Sequence, residues 1–234
     1  MKLIGMLGGL GWESTSQYYR MLNEFTQHQL GSAHAARILL HSVDHGAITS
    51  AVSKGDEGRV ISILCEAAHS LKNGGADFAV IASNSMHRYA DQIEHATGIE
   101  LLHISDPTVS EVMKAGHRTV ALLGTRATME SCFYAKRLRE HAQTAVIAPE
   151  LAEREEVDRV IFDELARGVM RSGSRDFMNG LIGKLCDRGA EAVVLGCSQL
   201  KTIITPSCDP LPFYDTTRLH AKAAVKRALE VTYA

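Results

Sequence analysis

An α/β fold of two pseudo-symmetric lobes, each a four-stranded parallel sheet flanked by helices, follows from three features of the 234 residues. First, the chain repeats itself: LKNGGADFAVIAS (71–83) aligns without a gap on LCDRGAEAVVLGC (185–197), pairing Leu71 with Leu185, Gly75 with Gly189, Asp77 with Glu191 and Ser83 with Cys197. Repeats decide architecture before local patterns do. Second, each copy runs amphipathic helix, glycine stop, short continuous apolar run, small polar residues; such a run reads as a parallel strand covered on both faces. Third, each half opens on an apolar strand ending in glycine, LIGMLGG (3–9) and VALLGT (120–125). Polar residues just past a parallel strand stand at its carboxyl end, where open α/β sheets bind ligands, so the active site is expected in a cleft between the lobes.

The elements follow in order. After the first strand a helix from about Ser14 to Gln29 carries Tyr18, Leu22 and Phe25 on one face and stops at Gly31. Ile38 to Leu40 reads as the second strand, and 44–55 as a loop that could close over the cleft. Ile61, Leu64, Ala68 and Leu71 mark the next helix, 78–81 the third strand and Leu101 to Asp106 the fourth. The second half matches the remaining strands with Ala145–Ala148 and Leu211–Asp215, and Asp215 is an N-cap for the last helix. That helix, the fifth element of its half, is expected to cross back, giving an N-terminal lobe of 1–104 and 214–234 and a C-terminal lobe of 105–213. No proline-rich or glycine-serine linker separates the two, so they are expected to be closely apposed.

Composition excludes several classes. With 45% apolar and 22% charged residues the chain can bury a sizeable core, which rules out extended disorder. A net charge of -2 offers no field for a phosphate backbone or an anionic membrane, so neither nucleic acid nor membrane is an expected partner. No apolar stretch approaches a membrane span, and MKLIGMLGG is too short an apolar run for a signal peptide. The five cysteines, Cys65, Cys132, Cys186, Cys197 and Cys208, include no Cys-x-x-Cys pair and suggest neither disulfides nor zinc, so a cytoplasmic protein is expected. His41 and His45 stand four apart, but the apolar run before them reads as a strand end and no third ligand offers itself; no metal is expected.

Two facing copies suit chemistry at a stereocentre, because inverting a carbon needs a base on one face and an acid on the other. Ser83 and Cys197 are the candidates for those roles. A lone free cysteine is usually an inert core residue; Cys197, after an apolar strand and opposite a duplicated polar site, is better placed to react. Cys65, Cys132 and Cys186 lie in helical stretches and Cys208 in a loop, so they read as structural. Gly8, Gly9 and Gly11 do not complete a dinucleotide G-x-G-x-x-G, and no acidic residue follows at the required strand end; they read as an anion-accepting turn suited to a carboxylate or simply as a tight turn. Ligand contact and helix capping both remain open for Ser14, Thr15, Thr125 and Ser198.

MLGGLGWEST, LLHSVD, ASNSMH (82–87), ALLGTRATME and LGCSQ (195–199) together resemble the PLP-independent aspartate/glutamate racemases along essentially the whole chain, most closely their enterobacterial broad-specificity amino acid racemase subgroup. The resemblance implies a cofactor-independent, two-base racemase that is a homodimer and takes a small amino acid as substrate. By position it makes Ser83 and Cys197 catalytic, assigns Gly9, Asn84, Ser85, Thr125 and Ser198 to substrate binding, and gives His87 and Trp12 supporting roles. It also implies that Cys197 serves the L-enantiomer. Ser83 stands where most of the family has cysteine and that subgroup threonine; a hydroxyl is a far poorer base than a thiol, whose ordinary pKa is about 8.5, which casts Ser83 as a proton donor. Thr49 and Ala166 stand where archaeal-type aspartate racemases carry an arginine and a lysine for the side-chain carboxylate, which implies looser specificity. Ser198-Gln199 replaces the usual Thr-Glu, keeping the hydroxyl and removing a charge. Two other readings stand beside the racemase: a catalytically weakened ligand-binding variant of the same scaffold, and a related isomerase of the hydantoin racemase or maleate isomerase type.

Overall fold

The computed structural model describes residues 1–204 and 211–230. The chain divides into two compact units, Met1–Ile104 with His220–Ala234, and Ser105–Leu219. Cys208 lies outside the described residues.

The first unit runs β1 (Ile4–Gly8), α1 (Trp12–Leu30), β2 (Ile38–Ser42), α2 (His45–Ser53), α3 (Glu57–Asn73), β3 (Phe78–Ile81) and α4 (Ala90–Thr97). Its parallel sheet has the order β2-β1-β3, with Ile4 opposite both Ile38 and Phe78. Side chains alternate across the sheet as strand geometry requires. Leu7, Ala79 and Ile81 pack under α2, α3 and α4, whereas Ile4, Met6, Phe78 and Val80 pack against α1 and the end of the chain's last helix. Both faces of β1 and β3 are buried, while β2 is a half-exposed edge strand.

The second unit holds α5 (Ser105–Ala115), β4 (Thr119–Gly124), α6 (Arg126–Glu130), α7 (Cys132–Ala142), β5 (Ala145–Ile147), α8 (Leu151–Arg159), α9 (Ser172–Asp187), β6 (Ala192–Gly196) and β7 (Phe213–Asp215). The last helix, α10 (Thr216–Leu229), begins here, and from His220 onward its residues cluster with the first unit. The sheet is parallel, in the order β5-β4-β6-β7. Asp215 caps α10, its Oδ1 accepting from the Arg218 N–H at 3.0 Å.

The internal repeat is a repeat of hydrogen bonds as well as of letters. Ala76 donates to the Leu71 carbonyl and Ala190 to the Leu185 carbonyl, closing α3 and α9 in the same six-to-one pattern. Each closure needs the left-handed backbone of the preceding glycine, Gly75 at φ 85° and Gly189 at φ 92°. The following acid then ties down the entrance to the neighbouring first strand. Asp77 accepts from the Leu3 N–H and Glu191 from the Arg118 N–H, while their own N–H groups donate to the carbonyls of Leu3 and Thr119.

Two expectations are corrected. Among the described residues the first unit has three strands, not four. Leu101 makes a single parallel bridge to Ala79, but the next carbonyl, Leu102, accepts from His220 Nε2 at 2.8 Å, and α5 starts at Ser105. A side chain takes the acceptor that a ladder would need. The segment 44–55 is helical rather than a loop, because Asp44 accepts from the Gly46 N–H and Ile48 and Ala51 are buried beneath it. Among the described residues, no helix is long and apolar enough to cross a membrane.

His220 is completely buried, and this burial pushes its imidazole down to about 4, against a smaller opposing effect of its hydrogen bond to Leu102. A histidine neutral in the folded chain and titrating near 6.5 in the unfolded one favours folding above that pH and stops doing so as pH falls toward 4. The loss across this window is roughly 3 kcal/mol. Urea unfolding at several pH values should show His220→Gln with a shallower stability loss between about pH 6.5 and 4 than the native chain.

Candidate active site

In the first unit the site residues gather where β1 and β3 end side by side. Leu7 is in register with Ile81, and its carbonyl accepts from the Ala82 N–H at 2.9 Å, so the Gly8-Gly9 turn and Ser83 leave the sheet together. Gly9 has φ +78°, and a Cβ there would lie 2.1 Å from the Val43 carbonyl oxygen, so no other residue fits without moving the strand ends apart. Its N–H donates to Thr15 Oγ1 at 2.9 Å, and Thr15 donates on to the Gly11 carbonyl. The glycine therefore lets the turn pack against the backbone of Val43, just past the end of β2, and the Gly9 donor itself is engaged. Ser14 is neither cap nor free hydroxyl: its Oγ donates to the Ala82 carbonyl at 3.0 Å. Trp12 is largely exposed, at 71%.

Past β3, Asn84 precedes a 3₁₀ turn, Ser85–Tyr89, that carries Ser85 and His87. Ser83 and Ser85 are partly exposed, with their hydroxyls 3.4 Å apart. His87 is buried, and its Nδ1–H donates to the Ser83 carbonyl at 2.7 Å. Its ring meets those of His103 and His220 edge-on, at centroid distances of 4.9 and 5.3 Å.

The second unit builds its half in the same way. Gly124 is in register with Gly196, so Thr125 and Cys197 emerge from adjacent strand ends. Thr125 is the N-cap of α6, its hydroxyl accepting from the Thr128 N–H at 3.3 Å. The neighbouring Arg126 N–H donates to Asp158 at 2.8 Å. Ser198 is buried. The Leu195 carbonyl, near the end of β6, accepts from Thr216 Oγ1 at 2.7 Å. Thr216 in turn is hydrogen-bonded by Tyr134, a buried phenol held well above its ordinary range mainly by burial.

Cys197 is half-buried and reduced. Burial pushes its thiol up to about 11; the backbone N–H groups of Gln199 and Leu200 pull the other way, and the Asp158 charge adds slightly to the rise. The ligand-free chain therefore carries a thiol here at neutral pH.

Sequence reasoning placed the two polar strand ends but missed what holds them. Tyr18, His103, His220, Tyr134 and Asp158 carry no local motif, since their partners stand tens to hundreds of residues away. Thr49 spends its hydroxyl on the His45 and Gly46 carbonyls within α2. Ala166 lies in a turn beside the buried Glu164, which accepts from Arg159 and Ser174, each at 2.7 Å. Ser174 first and then Arg159 hold that carboxyl below its ordinary range. Arg159 is thus engaged by an internal ion pair, and Arg167, adjacent to Ala166, pairs with Asp163 at 3.4 Å on the surface. Among the described residues no group of three or more His, Cys, Asp or Glu side chains is arranged to hold a metal ion.

A family model described as Asp/Glu/Hydantoin racemase matches residues 7–224. The chain belongs to this racemase family. Within it, the chain is 22% identical over 233 residues to the broad specificity amino-acid racemase RacX of Bacillus subtilis (strain 168), covering 97% of this chain and 98% of that one. A crystal structure from Yersinia pestis, described as a candidate Asp/Glu racemase, is 42% identical, covers 98% of this chain and 100% of its own, and superposes with a TM-score of 0.93. An aspartate racemase homologue from Pyrococcus horikoshii OT3 is 28% identical over 98% of this chain and 100% of its own, with a TM-score of 0.86. Membership in the racemase family makes the chain an isomerase, and its two parallel-sheet units are the fold of these relatives.

The raised thiol gives a direct expectation for this racemase. Alkylation of Cys197 by iodoacetamide, followed peptide by peptide, should be slow at pH 7.5 and rise about tenfold per pH unit to beyond pH 9.5. A plateau near pH 8.5 would mean that burial does not govern this thiol.

Proposed function

We propose that the chain racemises amino acids without a cofactor by a two-base proton transfer, with Cys197 as the base toward the L-enantiomer and Ser83 as the proton donor on the opposite face. The observation that carries this reading is the equivalence of the two residues. Each is the small polar residue that follows the third strand of its half, beside the glycine turn or threonine cap of the first.

The chemistry balances. The thiolate takes the Cα proton and becomes a thiol; the carbanion takes a proton at its other face from the Ser83 hydroxyl or a water it orients; solvent exchange returns the proton to where it began. Burial opposes the thiolate in the ligand-free chain, and the α-ammonium of a bound amino acid, a nearby positive charge, would favour it. Asn84, Ser85, Thr125 and Ser198 supply neutral donors and acceptors for the substrate's amino and carboxylate groups, and Gly9 lets the turn beside them pack closely. With Thr49 and Ala166 in place of cations, acidic side chains lose a charge-assisted partner, which favours a wider substrate set. We also read the protein as cytoplasmic and homodimeric, in keeping with the family resemblance and with four described cysteines that are all free.

A hydroxyl at position 83 returns protons well and removes them poorly. The two kcat/KM values must still be equal, because enantiomers have equal free energy in water, so the asymmetry falls on kcat and KM separately. Ser83 also favours a second reading, a ligand-binding variant with weakened catalysis.

In D₂O, deuterium should enter Cα from L-substrates, with kcat higher from L than from D across a panel of aspartate, glutamate, and neutral and basic amino acids. Cys197→Ala should lower the rate by about 10²-fold or more. Ser83→Cys should raise kcat from the D-enantiomer. No incorporation from any enantiomer, with activity appearing only in Ser83→Cys, would establish the binding variant instead.

A further inference from the structure

The carbonyls of Ala82 and Ser83, the two that leave β3, are both held by side chains, and both holdings trace back to one face of α1. Ser14 donates to the Ala82 carbonyl at 3.0 Å. One turn later, at the i+4 spacing that puts side chains on the same face, the Tyr18 hydroxyl lies 2.7 Å from His220 Nδ1. The tautomer of His220 follows from its other nitrogen, which lies 2.8 Å from the Leu102 carbonyl. A carbonyl only accepts, so Nε2 carries the proton and Nδ1 accepts from Tyr18. The His220 ring, so fixed at both nitrogens, meets His87 edge-on at 5.3 Å, and His87 donates from Nδ1 to the Ser83 carbonyl at 2.7 Å. His103 closes the other side of His87 at 4.9 Å. Tyr18, His87, His103 and His220 are each no more than 5% exposed.

Three buried imidazoles and a phenol are a costly way to fill a core that leucine would fill well, since each brings polar atoms that must be satisfied. What this cluster does that apolar packing cannot is aim one N–H at one carbonyl. Resting on the assignment of Ser83 to the active site, we propose that Tyr18 and His220 are positioning residues for Ser83, acting through His87 to fix the backbone from which its hydroxyl projects. They touch neither substrate nor reacting atoms in this role. Every member of the chain belongs to the first unit and Cys197 to the second; Tyr18→Phe alters α1 alone, whereas His220 lies one turn along α10 from Thr216, which holds the Leu195 carbonyl two residues before Cys197.

The test uses the full chain with Tyr18→Phe, which removes only a hydroxyl, and His220→Gln, whose amide can replace both hydrogen bonds but not the ring contact. With the L-amino acid of the panel that is turned over fastest, kcat should fall about tenfold in Tyr18→Phe and further in His220→Gln, while KM stays within about twofold. The alkylation rate of Cys197 should not change in Tyr18→Phe. In a Ser83→Cys background, alkylation of the thiol at position 83 should change at least about threefold when Tyr18 or His220 is substituted, whether or not the chain racemises. Unchanged kcat and unchanged alkylation at position 83 would overturn the proposal. So would a joint shift of kcat, KM and Cys197 alkylation in Tyr18→Phe, which marks general loosening. A native chain without racemase activity whose position-83 thiol still responds would remove the catalytic reading and leave the positioning one standing.

Discussion

The register between the first and third strands of each sheet is the constraint on which the rest depends. Parallel pairing sets Leu7 beside Ile81 and Gly124 beside Gly196, so in each unit two polar loops leave the sheet at the same edge. In a strand covered on both faces, no side chain can be polar until the strand ends. The polar residues Ser83, Thr125 and Cys197 therefore stand past the carboxyl ends of their strands. A slip of one residue would turn buried alternate positions to the wrong face and part the glycine turn from Ser83, and Thr125 from Cys197.

The two halves satisfy this constraint with common devices and then diverge. Both stop the preceding helix with a left-handed glycine and clip the first strand with an acid. Beyond the strand, the second unit secures the Leu195 carbonyl with Thr216 and the buried Tyr134, whereas the first uses Ser14 on one carbonyl and a histidine cluster on the next. The divergence matches the difference in the residues presented. A half-buried thiol titrates according to its surroundings, and burial raises that of Cys197. A serine hydroxyl does not titrate in the useful range, so what it contributes depends on where it points.

The same contrast bears on specificity. Where a cation for an acidic side chain would be expected, Thr49 is bonded within its own helix and Ala166 neighbours a carboxylate already paired with Arg159. Each of these polar groups is satisfied within its own unit.

The duplicated pattern determined by itself that there would be two parallel sheets, that Ser83 and Cys197 would be equivalent, and that the last helix would start after Asp215, because helix stops, buried strands and caps are local events with local signatures. The fourth strand expected in the first unit is lost for the opposite reason, and the helix within 44–55, although its aspartate cap is local, is held by burial that spacing does not record. Helix α2 is capped by one aspartate and held by two buried residues, and the ladder at Leu102 is interrupted by a histidine 118 residues away. Tertiary structure alone decided the state of Cys197 and the company of His87. Burial and long-range hydrogen bonds are properties of which segments meet, and no spacing along the chain records that Tyr18, 202 residues from His220, is its partner.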